Sequence, residues 1–463
     1  MPIPIITTGI AEGLSSIPYS YTILKVLPWI LLVAALKYYF GGARNGSERV
    51  MHSKVVMVTG GTSGIGAAVV HELATRGAQI ILLTQHEQND IFLIDYIEDL
   101  RRSTGNQLIY AEQVDLSSLH SIRTFATKWI DNVPARRLDM LLLFANTASP
   151  TPSKPKATID GVNEEWQVNY LANFHLLSIL SPALRAQPAH RDTRVIMTTC
   201  SSYIGAPKID FTQLDNDTIA YAVPAGTATA TATATANGKA QRTTAPKKPA
   251  VSKQTKRQTP AQNKSKPKKN IFGLSKLALM IFADSFQKHL NAFKRPDGQP
   301  PSVRVILVDP GLTRTPGTRR WLTGGSLWGL LLYLITWPIW WLVLKSPQQG
   351  AQSILYAAME QKFGRGAGGW LLKECQEVDF ARKEVNDDEV GKKLWEASEK
   401  QIEEREREGA VMRAVLKEEE MKENAKTSEQ AKERVKEQAT TGNGKGGQEQ
   451  KAGSKRNRKG NKQ

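Results

Sequence analysis

Residues 59–66 read TGGTSGIG, between an apolar run, Lys54-Val55-Val56-Met57-Val58, and a helix-like segment, Ala67 to Ala74. Strand, glycine turn and helix in that order predict a phosphate cradle. Gly60 permits the tight turn, Gly64 lets backbone approach a pyrophosphate, and Gly66 lets the helix pack on the strand. The helix N-terminus then offers free N–H groups and partial positive charge to an anion.

The same alternation continues along the chain. Strands are predicted at 79–83, 108–114, 138–145, 194–199 and 303–308, and helices at 91–102, 119–130, 164–180 and 275–290. Strands alternating with helices imply a doubly wound parallel sheet covered on both faces. A ligand then belongs at the carboxyl ends of the strands.

The net charge of +18 would suggest a nucleic-acid binder if it were spread over the body. It is not. Asp217–Asn270 holds eleven Lys and Arg against one Asp, and the end from Thr440 holds seven against one Glu, leaving the rest of the chain near neutral. Both stretches are low-complexity, one with a Thr-Ala repeat at Thr227–Ala236, and both are too poor in apolar residues to offset ordering entropy. The insertion lacks interleaved aromatics for base stacking, so nucleic acid is not the expected partner. A solvated linker, or contact with an anionic leaflet, fits better. Cys200 and Cys375 are the only cysteines. They suggest neither a disulfide framework nor a zinc site, and no metal is expected. His71 and His175 fall in helical patterns and read as packing residues. Residues 387–422 have helical, charge-rich spacing, suited to a solvated helix or to pairing with a partner.

Two segments suit lipid. Tyr21–Phe40 is apolar, long enough to span a bilayer, and followed by Arg44, Arg49 and Lys54. The basic flank predicts a body on the cytosolic side. Pro28 leaves a returning hairpin open, and a cleaved signal peptide is disfavoured by the missing basic n-region. Leu327–Leu344 carries no charge and is interrupted by Pro338. Because the flanking segments read as one domain, it is expected to lie on or re-enter the membrane; a core helix is the alternative.

These motifs resemble the short-chain dehydrogenase/reductase family, and its membrane-bound retinol-dehydrogenase-like branch in particular. The resemblance runs from about Lys54 to Glu399 outside the insertion. TGGTSGIG is similar to the family's TGxxxGxG turn, VDLSSLHSIRTFA from Val114 to the segment whose aspartate meets adenine, and WQVNYLANFHL from Trp166 to the helix bearing the relay asparagine. PKIDFTQL from Pro207 and KSPQQGAQ from Lys345 are similar to stretches of the retinol-dehydrogenase branch. FGLSKLA from Phe272 resembles YxxSKLA, and VDPGLTRT from Val308 resembles the PGxVxT loop.

The resemblance implies a Rossmann-type fold, an NAD(P) cofactor and hydride transfer between a nicotinamide and an alcohol or carbonyl. It implies cofactor contacts at Thr59, Gly60, Thr62, Ser63, Gly64, Ile65, Gly66, Gln85, Asp115, Leu116, Ala145, Lys276, Pro310, Gly311, Thr313 and Thr315. It implies catalytic roles at Lys276, Asn169 and the serine position, where Cys200 aligns and Ser201 is one step away. Thr84-Gln85-His86 has no acid to hold a ribose 2′-OH, which favours NADP, with NAD possible.

The pattern breaks at Phe272, where the family has its proton-donating tyrosine. The motif after the fourth strand is also altered, reading Phe144-Ala145-Asn146. Either another group serves as acid (Tyr203, Tyr221, or a water held by Lys276 and Asn169), or the chain is a cofactor-binding pseudoenzyme acting as a membrane scaffold or sensor, or the local sequence around the insertion is itself unusual.

The expected organisation is an anchor and linker at 1–50, a first domain part at 51–216 and a disordered insertion at 217–269. A second part follows at 270–399, with a membrane-associated lid at 321–345, and then a charged tail at 400–463. The expected partners are a lipophilic alcohol, aldehyde or ketone, membrane lipid and, as an open possibility, a second copy of the chain. The expected sites are the endoplasmic reticulum or a lipid droplet, with a role in lipid metabolism.

Overall fold

The computed structural model describes residues 20–133, 136–149, 156–214, 218 and 270–441. Tyr221, almost all of the expected insertion and the tail beyond 441 lie outside them. The chain divides into a unit ending at Glu406 and a second beginning at Arg407. Among its described residues the second unit is helical to Thr441.

The first unit is built on one sheet of eight strands: β1 (Val55–Thr59), β2 (Gln79–Thr84), β3 (Ile109–Gln113), β4 (Met140–Leu143), β5 (Thr193–Thr198), β6 (Val303–Asp309), β7 (Trp370–Lys373) and β8 (Gln376–Glu377). Their order is β3-β2-β1-β4-β5-β6-β7-β8. The strands from β1 to β7 pair in parallel, Val58 opposite Leu82 on one side and Leu142 on the other. The expected doubly wound parallel sheet is present, extended at one edge by β8, which runs antiparallel to β7. The two join at Glu374 and Cys375, with φ of +52° and +54°. Two successive positive φ values suit the twist of a tight hairpin.

The helices are α1 (Ser20–Gly41), α2 (Gly64–Thr75), α3 (Ile91–Thr104), α4 (Leu119–Ile130), α5 (Glu164–Trp166), α6 (Ala172–Arg185), α7 (Ile271–Ala292), α8 (Pro316–Leu322), α9 (Leu327–Ile335), α10 (Trp337–Val343), α11 (Pro347–Met359) and α12 (Asp388–Thr441). One apolar cluster joins α4, α6 and α7 to the sheet. The other joins α2, α3 and α11. Burial on both faces explains why β1 and β4–β6 are apolar along most of their length rather than alternating. Short polar caps start several helices: the Asp90 carboxylate accepts from Phe92 N, and Ser346 forms a capping box with Gln349.

Two features bear on the site. The helix expected at 164–180 is broken by a π turn at Gln167–Leu171, which carries Asn169. The apolar run 327–344 is two helices meeting at Thr336, whose Oγ1 donates to Leu332 O at 2.7 Å and accepts from Trp340 Nε1 at 2.7 Å. Most of its side chains are exposed, Trp328 81% and Leu332 63%, with Tyr333 and Leu344 buried, so it is not an enclosed core helix.

α1 is long and apolar enough to cross a membrane by length and composition, and it is exposed. The linker after it is strapped to the body. Ala43 N donates to Glu374 Oε2 at 2.9 Å, Asn45 N to Gln352 Oε1 at 3.0 Å, and Arg49 pairs with Asp192 at 2.7 Å. Lys37, near the end of α1, donates to Trp341 O and lies 4.9 Å from the Trp341 ring centre, tying α1 to α10.

Candidate active site

The strand order reverses between β1 and β4, and the glycine turn sits at the carboxyl end of that pair. Gly60 has φ +68°, and a Cβ there would lie 2.7 Å from Ala145 N. A Cβ on Gly66 would run into Gly60 O. Gly64 has φ +57° and faces the Thr315 methyl, 3.3 Å from where its Cβ would stand. Thr59 ties the turn to β4: Phe144 N donates to Thr59 O at 3.2 Å and Ala145 N to Thr59 Oγ1 at 3.4 Å. Ser63 occupies the N-cap of α2 without capping it. The first N–H groups of α2 are therefore left for an anion.

Thr62 and Ile65 are half-buried and Ser63 is exposed in this turn. Gln85 is exposed just past β2, where His86 Nδ1 lies 2.8 Å from Asp90 Oδ2. The Asp115 carboxylate accepts from Ser117 N at 2.8 Å and from Ser117 Oγ at 2.7 Å, so its own loop engages it; Leu116 packs half-buried beside it.

Asn169, on the π turn, closes on the loop after β4. Thr147 N donates to Asn169 Oδ1 at 2.8 Å, and Asn169 Nδ2 donates to Thr147 O at 2.9 Å. The same amide reaches Ser275 Oγ at 3.3 Å, and that hydroxyl donates to Phe272 O at 2.8 Å. Lys276 is buried, donates to Thr198 O at 3.2 Å, and lies 6.0 Å from the Phe272 ring centre. Burial holds its ammonium below the usual lysine range, opposed by Cys200 and Asp309.

Cys200 and Ser201, the two residues nearest the expected serine position, point to different partners. Cys200 Sγ lies 2.9 Å from Ser202 Oγ. Ser201 Oγ donates to Asp309 Oδ2 at 2.8 Å, with Lys373 Nζ 3.5 Å from the same hydroxyl. The Tyr203 hydroxyl accepts from Ala381 N at 3.1 Å, and Arg382 clamps the carbonyls of Tyr203 and Ala206. That tyrosine is a buried clamp between the 201–203 turn and the segment after β8.

The loop after β6 closes the far side. Gly311 N donates to Asp309 Oδ1 at 2.9 Å, and Pro310 precedes a positive φ of +75° at Gly311. Thr313 is buried and bridges Lys345. Thr315 caps α8 while its methyl sits over Gly64. Arg314 stacks 4.8 Å from the Trp337 ring centre, so this loop touches the apolar pair α9–α10.

The residues fit a dinucleotide. Gly60 and Gly64 keep free the space that backbone and phosphate need, the α2 N-terminus is uncapped, and Lys276 and Thr315 stand near the same crevice. Such a group would supply or take a hydride. The chain would hold its diphosphate at the glycine turn and its reactive end near Lys276, Cys200 and the 310–315 loop.

Sequence reasoning missed three supports. Tyr96 on α3 donates to Gly61 O at 2.8 Å, and burial pushes its phenol up to about 12. Asp309 braces both the Ser201 turn and Gly311. Lys373 comes from a strand that was not foreseen. Only Asp309, inside VDPG, carried a local signal.

The short chain dehydrogenase family model matches residues 54–210. Uncharacterized oxidoreductase pbr1 of Schizosaccharomyces pombe is 39% identical over 410 residues, 87% of this chain and 96% of that protein. Human retinol dehydrogenase 13 is 28% identical over 364 residues, covering 78% and 88%. Mouse polyprenol dehydrogenase is 28% identical over 345 residues, covering 74% and 82%.

Proposed function

As the chain belongs to the short-chain dehydrogenase/reductase family of NAD(P)-dependent oxidoreductases, we propose that it is a membrane-anchored, NADP-preferring member that interconverts a lipophilic alcohol and its aldehyde or ketone. The observation that carries the reading is the uncapped glycine cradle at the strand switch point, with buried Lys276 and the 310–315 loop at the same edge. The missing acid in Thr84-Gln85-His86 supports NADP. Exposed α1 and the outward apolar pair α9–α10 support a membrane location, with the body in the cytosol at the endoplasmic reticulum or a lipid droplet. That pair follows directly on the 310–315 loop, which supports entry of a greasy substrate from the bilayer. The names of relatives, retinol and polyprenol dehydrogenases, agree with an isoprenoid alcohol. The domains in this reading are an anchor and linker at 1–50, a family domain at 51–216 and 270–399 with a lid at 321–345, an insertion at 217–269 and a charged tail at 400–463.

In this reading the glycine turn fixes the diphosphate, Lys276 and Thr315 orient the reactive end, and Asn169 holds the loop after β4 against α7. Phe272 favours a second reading, a cofactor-binding protein without turnover. Detergent-purified full-length chain separates them. NADPH is expected to bind more tightly than NADH, and retinal or farnesal to be reduced slowly. Phe272→Tyr is expected to raise turnover by about 10-fold or more, since a placed acid contributes roughly 10²–10⁴. Tight cofactor binding with no turnover in either form would establish the second reading. Absent binding of both dinucleotides would reject both.

A further inference from the structure

The oxidoreductase reading leaves the proton without a carrier, because Phe272 has none to give. Among the described residues at the carboxyl ends of β5 and β6, most protic groups are committed or unsuitable. Ser201 donates to Asp309 and Ser275 to Phe272 O. Serine hydroxyls in any case ionise far above neutral pH. Tyr203 has a suitable group, but it is buried against Ala381 N. The Asn169 amide is closed on Thr147 and Ser275.

Cys200 is different. Cys200 is half-buried rather than fully enclosed. Ser202 Oγ lies 2.9 Å from the sulfur. The Ser202 carbonyl abuts the first turn of α7, 3.0 Å from where a Cβ on Gly273 would stand. That turn carries Phe272 and leads into Lys276, which is bonded to Thr198 O two residues before the cysteine. Lys276 on α7 is coupled electrostatically to both Cys200 and Asp309 at the end of β6, and Lys373 on β7 lies 3.8 Å from Asp309. A thiol is also a far better proton donor than the serine hydroxyls beside it.

We propose that Cys200 carries the reaction's proton in place of the missing tyrosine, with Lys276 holding the thiolate and Ser202 linking it to solvent. The proposal rests on the oxidoreductase reading. In the reductive direction the carbonyl carbon gains the hydride and its oxygen takes the thiol proton. An O–H bond forms, the S–H bond breaks, and the electron pair stays on sulfur beside Lys276. Solvent then returns a proton through Ser202. In the oxidative direction the thiolate takes the alcohol proton as carbon loses the hydride.

The decisive variant is Cys200→Ser, because serine is the family's substrate-orienting residue. If Cys200 only orients substrate, Cys200→Ser keeps its rate. As a proton carrier it cannot be replaced this way, so NADPH-dependent reduction of retinal or farnesal falls about 100-fold or more while NADPH affinity stays within about two-fold. Cys200→Ser/Phe272→Tyr, which rebuilds serine plus tyrosine, is expected to recover turnover. The second readout needs no turnover. Alkylation of Cys200 by iodoacetamide is followed by mass spectrometry against pH, with Cys375 as internal control. Lys276→Met is expected to slow alkylation of Cys200 about 10-fold relative to Cys375 at neutral pH, because the thiolate loses its cation. Full activity in Cys200→Ser or Cys200→Ala, or Cys200 alkylation unchanged by Lys276→Met, overturns the proposal. Loss of activity in Lys276→Met alone, with Cys200→Ala active, assigns the proton to the lysine. A wild type that binds NADPH but reduces neither probe rejects the oxidoreductase reading instead, while the alkylation profile still judges the thiol–lysine pair.

Discussion

At the scale of single residues, the glycine turn offers a graded test. Gly60 and Gly64 both have positive φ, but their surroundings differ. A methyl on Gly60 meets the backbone of Ala145 and Phe144, which cannot yield without moving β4. A methyl on Gly64 meets side-chain atoms alone, Thr315 Cγ2 at 3.3 Å and Pro316 Cδ at 3.8 Å. Gly60→Ala is therefore expected to abolish measurable NADPH binding and to lower the melting temperature by several degrees, a cost of about 2 kcal/mol or more. Gly64→Ala is expected to weaken NADPH binding about 10-fold and to lower melting less than Gly60→Ala does, by the backbone strain of its positive φ alone. Equal effects in isothermal titration and thermal melting would show that local crowding does not govern the turn. Gly60, Gly64 and Phe272 were legible in sequence because each sits inside a local motif. Tyr96 was not. Its hydrogen bond to Gly61 O exists only because α3 folds back over the turn, 35 positions away in sequence.

At the scale of elements, the sequence revealed long apolar runs well and short or interrupted ones poorly. β1, β2, β5 and β6 are buried along nearly their whole length, so composition alone marks them. β7 and β8 are four and two residues long and lie beyond a Gly-rich stretch, too short for a periodic signal. α7 begins at Ile271, earlier than its apolar pattern suggests, because the Asn270 side chain accepts from Gly273 N and nucleates the first turn. That shift matters, for it places Phe272 on the helix. Helix–helix contacts were equally hidden. On α6, His175 is buried, with Nε2 3.2 Å from Glu406 Oε1, a carboxylate that also pairs with Arg123 of α4. Burial, and then Arg123, hold its imidazole down at about 4, against an ordinary 6.5. The unfolded chain therefore binds a proton more readily than the folded one between these values. Stability from this group is complete above pH 6.5 and is lost as pH falls toward 4, by up to about 3 kcal/mol. Thermal melting of wild type is expected to drop more steeply from pH 7 to 4.5 than that of His175→Asn. Parallel profiles would show that the histidine is protonated in the fold.

At the scale of the whole molecule, charge and apolar surface are segregated. The body is near neutral, while the net positive charge is concentrated in the segment around 217–270 and the end of the chain. The apolar excess is equally local, on α1 and on α9–α10, and Lys37 and the strapped linker hold these two together. In the proposed membrane-bound state, the edge of the sheet where the 310–315 loop meets Trp337 would face the bilayer. The two apolar parts should contribute separately. Full-length chain is expected to remain with vesicles after alkaline carbonate. A chain lacking residues 1–40 is expected to be released by carbonate yet still float with vesicles at neutral pH, held by α9–α10. Burying one large apolar side chain is worth roughly 1.5–3 kcal/mol, so Trp328→Glu with Leu332→Glu in the shortened chain should cut vesicle partitioning by about 100-fold or more. NADPH affinity should stay unchanged, because neither residue approaches the glycine turn. If the shortened chain fails to float before those substitutions are made, α9–α10 is not a membrane-facing surface, and entry of substrate from the bilayer loses its structural basis.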